Sequence, residues 1–495
     1  MITLTPTLDK ASEQPLYLQL YAYIRGEIEA GTIPAGTKLP AILALSAHLK
    51  VSKNTVETAY QQLIAEGYAE SRSRSGLYAL QVEEPPVAPP SSERKTSSLG
   101  RRANAPQLPP SPDAAGIAFD FRYGDVEMER FPMSAWRRCL LEALNISNPR
   151  QVIDYGHPQG EPELRSEIAS YLYQSRGVQC TANQIVICAG TQHSISMLCQ
   201  LIPLRGQRVA MEDPGYNGVR TTLSGHGCEL VHVPLDNDGI QVDRLYESDA
   251  STVYVTPSHQ FPLGMVLPIQ RRNRLLQWAG ENNALIIEDD YDSEFRYVGQ
   301  PIPALKALDH HDRVIYMGTL SKSFLPAARL SYVVLPESIA QSVREKLVLY
   351  SQPASPLIQQ AMLRFMREGH FGRHVRRMRR LYQLKHRALL TALQRHMGER
   401  IEIIGQKAGL HLLIDVRTEA PSSELIELAL GAGIRVYSPA IQWSSPSQCP
   451  QSYIMLGFGG LNEHTIDEAV SRLAEVWFKD YDGVNSIGRV EGVAQ

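Results

Sequence analysis

Residues 314–323 read Val-Ile-Tyr-Met-Gly-Thr-Leu-Ser-Lys-Ser, and Arg329 follows seven residues after Lys322. The apolar, β-branched run Val314–Met317 is a strand candidate. It delivers a lysine to the strand's carboxyl end, beside the hydroxyls of Thr319 and Ser321. A lysine so placed suits an imine with an aldehyde cofactor, and the hydroxyls and arginine suit its phosphate. Alone the string is weak, because most lysines are solvated surface charges.

Working outward, further strand candidates stand at Ile185–Cys188, Arg208–Met211, Leu230–Val233, Val253–Thr256, Leu285–Glu288 and Tyr332–Leu335. Helical stretches such as Ile269–Glu281 fall between many of them. This alternation predicts an α/β fold with a mainly parallel sheet, whose ligands sit at the carboxyl ends of strands. Four more strings lie at such ends. Asp289 and Tyr291 close an apolar strand. An aspartate opposite a pyridine nitrogen keeps it protonated, and a tyrosine two residues on reaches the ring's phenolic oxygen. A metal-binding acid cluster or a helix N-cap is the competing reading. Gly190, Thr191 and Gln192 open a helix after a strand, where backbone N–H groups make an anion site. Tyr216, in Asp213-Pro214-Gly215-Tyr216, is placed to stack on a ring, although a lone tyrosine is more often core. Thr256–Gly264 ends another strand.

The five strings in this order resemble the fold type I aminotransferases, which bind pyridoxal 5'-phosphate (PLP). The resemblance implies that Lys322 is the Schiff-base lysine and the catalytic residue. It implies that Asp289 faces the pyridine nitrogen, Tyr291 the phenolic oxygen, and that Tyr216 stacks on the ring. Gly190, Thr191, Gln192, Thr319, Ser321 and Arg329 would hold the phosphate. Two departures touch the chemistry. Phe261-Pro262-Leu263-Gly264 stands where aminotransferases have Asn-Pro-Thr-Gly, and Met455 stands where they have the arginine that anchors a substrate carboxylate. Arg435 is a candidate replacement.

The N-terminal residues 10–80 read differently. Leu16, Leu20, Ile24 and Ile28 form one stripe of a helix that Gly31 stops. Pro40 suits the first turn of a second helix with Ile42, Leu45 and Leu49 on its inner face. Ser52 is an N-cap for a third, with Val56, Tyr60 and Leu63 inside. A hairpin follows over Tyr68–Leu80. Three helices and a hairpin predict a winged helix-turn-helix. Ser52, Lys53, Asn54 and Thr55 would meet the major groove of an operator duplex, and Arg72 and Arg74 its backbone. A helical adaptor without a DNA role is the bland alternative, and local charge does not decide. Seven cations stand against six carboxylates from Lys10 to Leu80. The segment resembles the GntR-type winged helix, with Leu43 where that family has an arginine.

Between the halves, residues 81–113 contain EEPPVAPPSSERKTSSLGRRANAPQLPPSPD. So few apolar side chains cannot offset ordering entropy, so the stretch is expected to be a linker rather than a long active-site loop. A winged helix followed by an aminotransferase-like domain over 114–480 is the order of the MocR/GabR regulators, which the forms TPSHQFPLG and IIEDDYDSEFRY also resemble. That family implies a homodimer and a PLP-linked effector. Gly218 stands where GABA-responsive members have an arginine, which argues against GABA.

Bulk composition sets outer limits. The chain has 495 residues, 43% hydrophobic and 20% charged, and a net charge of -3. The whole is no basic nucleic-acid carpet, so DNA binding needs a local surface. Six cysteines show no metal spacing and read as reduced thiols of a cytoplasmic protein. No basic n-region opens the chain, and no run is long enough to span a membrane. No metal site is expected. Two functions remain. One is a transcription regulator sensing PLP or an amino compound condensed with it, controlling vitamin B6 or amine and amino-acid metabolism. The other is a working aminotransferase with a vestigial winged helix. The missing carboxylate anchor favours the regulator, which needs imine formation but not turnover.

Overall fold

The computed structural model describes residues 4–6, 8–9, 12, 14–72, 75–80, 116–145, 154–297 and 303–479. It divides into two compact units, Met1–Pro109 and Pro110–Gln495. Residues 81–113, expected as a linker, and Arg74 lie outside the described residues.

The small unit contains α1 (Leu16–Glu29), α2 (Ile42–Leu49), α3 (Lys53–Ala65) and the hairpin β1 (Ala69–Arg72) with β2 (Gly76–Ala79). Leu20, Ile24 and Ile28 bury one face of α1 against Leu45, Val56, Ala59, Tyr60 and Leu63. Between α2 and α3 the chain turns through Lys50 at φ 52°, and the Ser52 hydroxyl caps α3 by accepting from the Thr55 amide at 3.1 Å. One expectation shifts: α2 begins at Ile42 with Ala41 as its N-cap, so Pro40 precedes the helix. Its carbonyl instead accepts a 2.9 Å hydrogen bond from the Tyr60 hydroxyl, tying the approach of α2 to α3.

In the large unit, β3 (Phe119–Asp120), α4 (Met133–Leu144) and α5 (Pro162–Arg176) lead into the main sheet. Its first half comprises β4 (Ile185–Cys188), α6 (Thr191–Leu201), β5 (Arg208–Asp213), α7 (Asn217–Gly225), β6 (Glu229–Asp236) and β7 (Gly239–Ile240). The second half is α8 (Val242–Tyr246), β8 (Thr252–Val255), α9 (Ile269–Glu281), β9 (Leu285–Asp290), β10 (Val314–Thr319) and β11 (Ser331–Val334). The eight strands run in the order β4-β11-β10-β9-β8-β5-β6-β7. The ladders from β10 through β9, β8 and β5 to β6 are all parallel, while β11 is antiparallel to both neighbours. Ile286, Ile287, Val314, Ile315 and Met317 are buried on the two faces of these strands, as a parallel sheet covered on both sides requires.

Beyond the sheet come α10 (Glu337–Leu347), α11 (Pro356–Arg367) and the long α12 (His370–His396). The remaining α-helices and strands of the described residues are β12 (Ile401–Ile404), β13 (His411–Val416), α13 (Ser422–Gly431), β14 (Ile434–Arg435), β15 (Tyr453–Gly457) and α14 (Ile466–Trp477). A second, antiparallel sheet has the order β12-β13-β15, and β14 pairs with β3. Its core joins Leu412, Ile414, Ile454 and Leu456 to Leu389 and Leu393 of α12 and Val470 and Leu473 of α14.

Candidate cofactor site

The carboxyl ends of β4, β5, β8, β9 and β10 open on one cavity of about 250 Å³. Gly190, Thr191, Gln192, Tyr216, Asp289, Tyr291, Thr319, Ser321, Lys322 and Arg329 all line it. Residues almost 140 apart in sequence are thus brought together by strand order. Sequence reasoning missed Tyr123, Gly124, Tyr254 and Pro326 of the same wall.

Lys322 leaves β10 after Thr319 and Leu320, and its ammonium lies 4.4 Å from the Tyr123 ring centroid. Burial pulls its pKa down from the ordinary 10.5 to about 8, against the opposing pull of Asp292 and Asp125. A lysine so shifted is partly neutral near neutral pH and hence nucleophilic. Gly124 makes room for it. Its φ is +99°, and a Cβ there would stand 3.0 Å from the lysine nitrogen.

Asp289 is buried at the end of β9, and its Oδ2 accepts a 2.6 Å hydrogen bond from the Tyr254 hydroxyl on neighbouring β8. Its Oδ1 has no hydrogen-bond partner among the described residues. Burial lifts this carboxyl from 3.8 to about 7; the tyrosine bond lowers it, and Asp290, Asp292 and Glu288 raise it further. A buried carboxylate oxygen without a donor is costly, and a protonated ring nitrogen would satisfy it.

Opposite stands the anion-binding corner. α6 begins at Thr191, so its first-turn amides have no acceptor within the helix. The Gly190 amide is not among the free ones: it donates to Ser331 Oγ at 2.8 Å. Gly190 serves through its bare Cα, because a Cβ would collide with the Arg329 guanidinium. That guanidinium donates to the Ala189 carbonyl at 2.9 Å. The Thr319 hydroxyl donates to Ser321 Oγ at 3.0 Å and accepts from the Ser321 amide at 3.2 Å, which orients both hydroxyls. Lysine, lone carboxylate oxygen and anion corner fit the aldehyde, ring nitrogen and phosphate of PLP.

The remaining wall departs from an aminotransferase's. Tyr291 lines the cavity, but its hydroxyl donates to the His259 carbonyl at 2.9 Å and lies 2.9 Å from His259 Nδ1. That nitrogen is also 2.9 Å from Asp292 Oδ2. Phe261 presents an aromatic ring, 4.7 Å from that of Tyr123 and 5.7 Å from that of Tyr216. Met455 is buried with Phe261, Tyr291 and Leu413. Arg435 does not line the cavity and pairs with Asp120 at 3.5 Å. Gly218 keeps the space under Tyr216 open, since a Cβ there would lie 2.7 Å from the tyrosine Cζ.

On the small unit, Ser52, Lys53 and Asn54 are exposed at the start of α3, and the hydroxyls of Ser52 and Thr55 are 2.8 Å apart and hold each other. Arg72 pairs with Glu70 at 2.7 Å and lies 4.5 Å from the Tyr78 ring centroid. Leu43 is 70% exposed.

Residues 16–78 match the family "Bacterial regulatory proteins, gntR family", and residues 123–473 match "Aminotransferase class I and II". The chain is 39% identical to an uncharacterized HTH-type transcriptional regulator, YdeL, of Bacillus subtilis, over 96% of this chain and 99% of the relative. It is 35% identical to the probable rhizopine catabolism regulatory protein MocR of Rhizobium meliloti, over 94% of each. It is 32% identical to the pyridoxine biosynthesis regulator PdxR of Corynebacterium glutamicum, over 92% of this chain and 95% of that one. The chain therefore belongs to the MocR-type HTH transcriptional regulators, in which a gntR-family winged helix is fused to an aminotransferase domain of the fold that binds PLP.

Proposed function

We propose that this regulator binds operator DNA as a homodimer and senses PLP, or an amino compound condensed with PLP, in the cavity at the end of β10. The observation that carries the reading is a cavity complete for PLP but lacking a carboxylate anchor, with Phe261 in its wall and Met455 packed behind it. Bound there, PLP supplies an aldehyde that condenses with amines and a ring that draws electrons. Lys322 provides the condensing nitrogen, and its lowered pKa keeps a share of it neutral. Asp289 would hold the ring nitrogen's proton through Oδ1, which has no partner among the described residues. Thr191, Gln192, Thr319, Ser321 and Arg329 hold the phosphate, with Gly190 giving the guanidinium its place. Tyr216 covers the ring face. Tyr291 would border the phenolic edge, its hydroxyl already donating to the His259 carbonyl.

Lys53 and Asn54 read the major groove, Ser52 and Thr55 set the start of that helix, and Arg72 and Arg74 contact the duplex backbone. A ligand shifts the DNA-binding equilibrium only by its difference in affinity between the two states. The similarity to a pyridoxine biosynthesis regulator, together with the missing anchor, favours PLP itself as the signal and vitamin B6 genes as targets. The test is transcript abundance of B6-synthesis genes in a deletion strain grown with and without pyridoxine. Loss of the response to pyridoxine is expected. An unchanged response would remove B6 control. Sustained turnover of amino acids with keto acids by the purified protein would replace the sensor by an enzyme.

A further inference from the structure

The charge for DNA binding is not where the winged helix would put it. The small unit's cations and carboxylates nearly cancel, with seven against six from Lys10 to Leu80, and the exposed Leu43 adds none. In the large unit, α12 carries seven arginines and one lysine over its 27 residues and no carboxylate. In a chain of net charge -3 this is a strong local excess.

The helix sorts these charges by face. Phe371, Met378, Leu381, Tyr382, Leu389 and Leu393 are buried. Arg373, Arg376, Arg377, Arg380 and Arg387 are exposed on the other side. Other α12 cations are engaged: Lys385 with Glu127 at 2.8 Å, Arg395 with Asp467 at 3.0 Å. The exposed five have no ion pair among the described residues. Arg373 donates only to the Glu368 carbonyl, at 2.8 Å, and lies 3.0 Å from His370 Nδ1. At about 1.5 Å per residue, Arg373 and Arg387 are roughly 21 Å apart along the axis. A nucleic-acid strand places about six phosphates along that length. None of the five borders the cofactor cavity.

We infer that the exposed arginine face of α12 is a second DNA-binding surface, one that grips the phosphate backbone without reading bases. Guanidinium forks suit phosphate oxygens, and five unpaired charges on one rigid helix supply the counterion release that the near-neutral winged helix does not. The inference rests on the reading that this chain binds DNA.

The test uses the full-length protein and two labelled duplexes, the DNA upstream of its own gene and a random-sequence duplex. Affinity is measured over a salt series for the wild type, for Arg376→Gln/Arg377→Gln/Arg380→Gln and for the matching Lys triple. Each phosphate contact contributes about 0.9 to the salt slope, so the Gln triple is expected to flatten it by roughly 2–3 on both duplexes. It should bind at least tenfold more weakly at low salt, and the Lys triple should restore most of the slope. The PLP absorbance band should be unchanged in both. Should the Gln triple fail to fold, phenylglyoxal mapping of the wild type decides: added duplex should protect the α12 arginines. A folded Gln triple with the wild-type slope, or arginines equally reactive with and without duplex, overturns the inference. So does a change in particle mass with the slope intact, which would make the face a subunit contact. A wild type that binds neither duplex defeats the DNA-binding reading itself, a different failure.

Discussion

Asp289 ties stability to the ligand recognition proposed for the cavity. Its folded pKa of about 7 lies above the ordinary 3.8, so between those values the folded chain holds a proton that the unfolded chain releases. The group's stabilising contribution is therefore full below about 4 and is lost as pH rises through 7. In PLP-free protein, Asp289→Asn should abolish this share of the fall in melting temperature between pH 5 and pH 8, and should weaken PLP binding at least tenfold. A variant with the wild-type pH profile and affinity would show that the lone oxygen faces no ligand. The sequence revealed Asp289 and Lys322 because an acid or a lysine at the end of an apolar strand needs a reason. It did not reveal Tyr254, 35 residues upstream, because that tyrosine reaches Asp289 only through the adjacency of β8 and β9. Gly124 was equally hidden, since its function is the absence of a side chain beside Lys322.

At the scale of elements, the loop after β8 is held by a buried arginine of α9. Arg272 is fully buried and donates to the carbonyls of Pro257, Leu267 and Pro303, each at 2.8 Å. The first two bracket the loop that carries Phe261 into the cavity wall. Arg272→Ala would leave three carbonyls without their donor and should destabilise the large unit by about 3 kcal/mol or more in urea unfolding. A loss under 1 kcal/mol would mean the loop holds itself. In the small unit, Leu43 at 70% exposure contributes no packing, so Leu43→Arg should leave the melting temperature unchanged. It should tighten DNA binding severalfold and steepen the salt slope by about 0.9. Unchanged affinity would place the start of α2 away from the duplex. The seven main-sheet strand candidates match observed strands to within three residues at either end, because most strands of a sheet covered on both faces are unbroken apolar, β-branched runs. β3 and β14 are two residues each and exist only as a pair, which no local pattern announces. The apolar run of β13 has no period to separate strand from helix.

For the whole molecule, the fusion of a winged helix to a PLP-binding fold is the functional statement, and both halves were legible from motifs in order. Charge distribution was less so. The excess on α12 is visible in the sequence, but that five of its arginines share one exposed face with no ion pair among the described residues is a property of the folded helix. The link proposed between the halves is a dependence of DNA binding on chemistry at Lys322. The decisive experiment is fluorescence anisotropy on the upstream duplex, with and without PLP, for wild type and Lys322→Ala, each also scanned for visible absorbance. A PLP-induced band and a PLP-dependent change in DNA affinity are expected for the wild type, and both should vanish in Lys322→Ala while its PLP-free DNA binding persists. A variant that keeps the full PLP response, or a wild type that forms the band while its DNA affinity ignores PLP, would contradict the sensor.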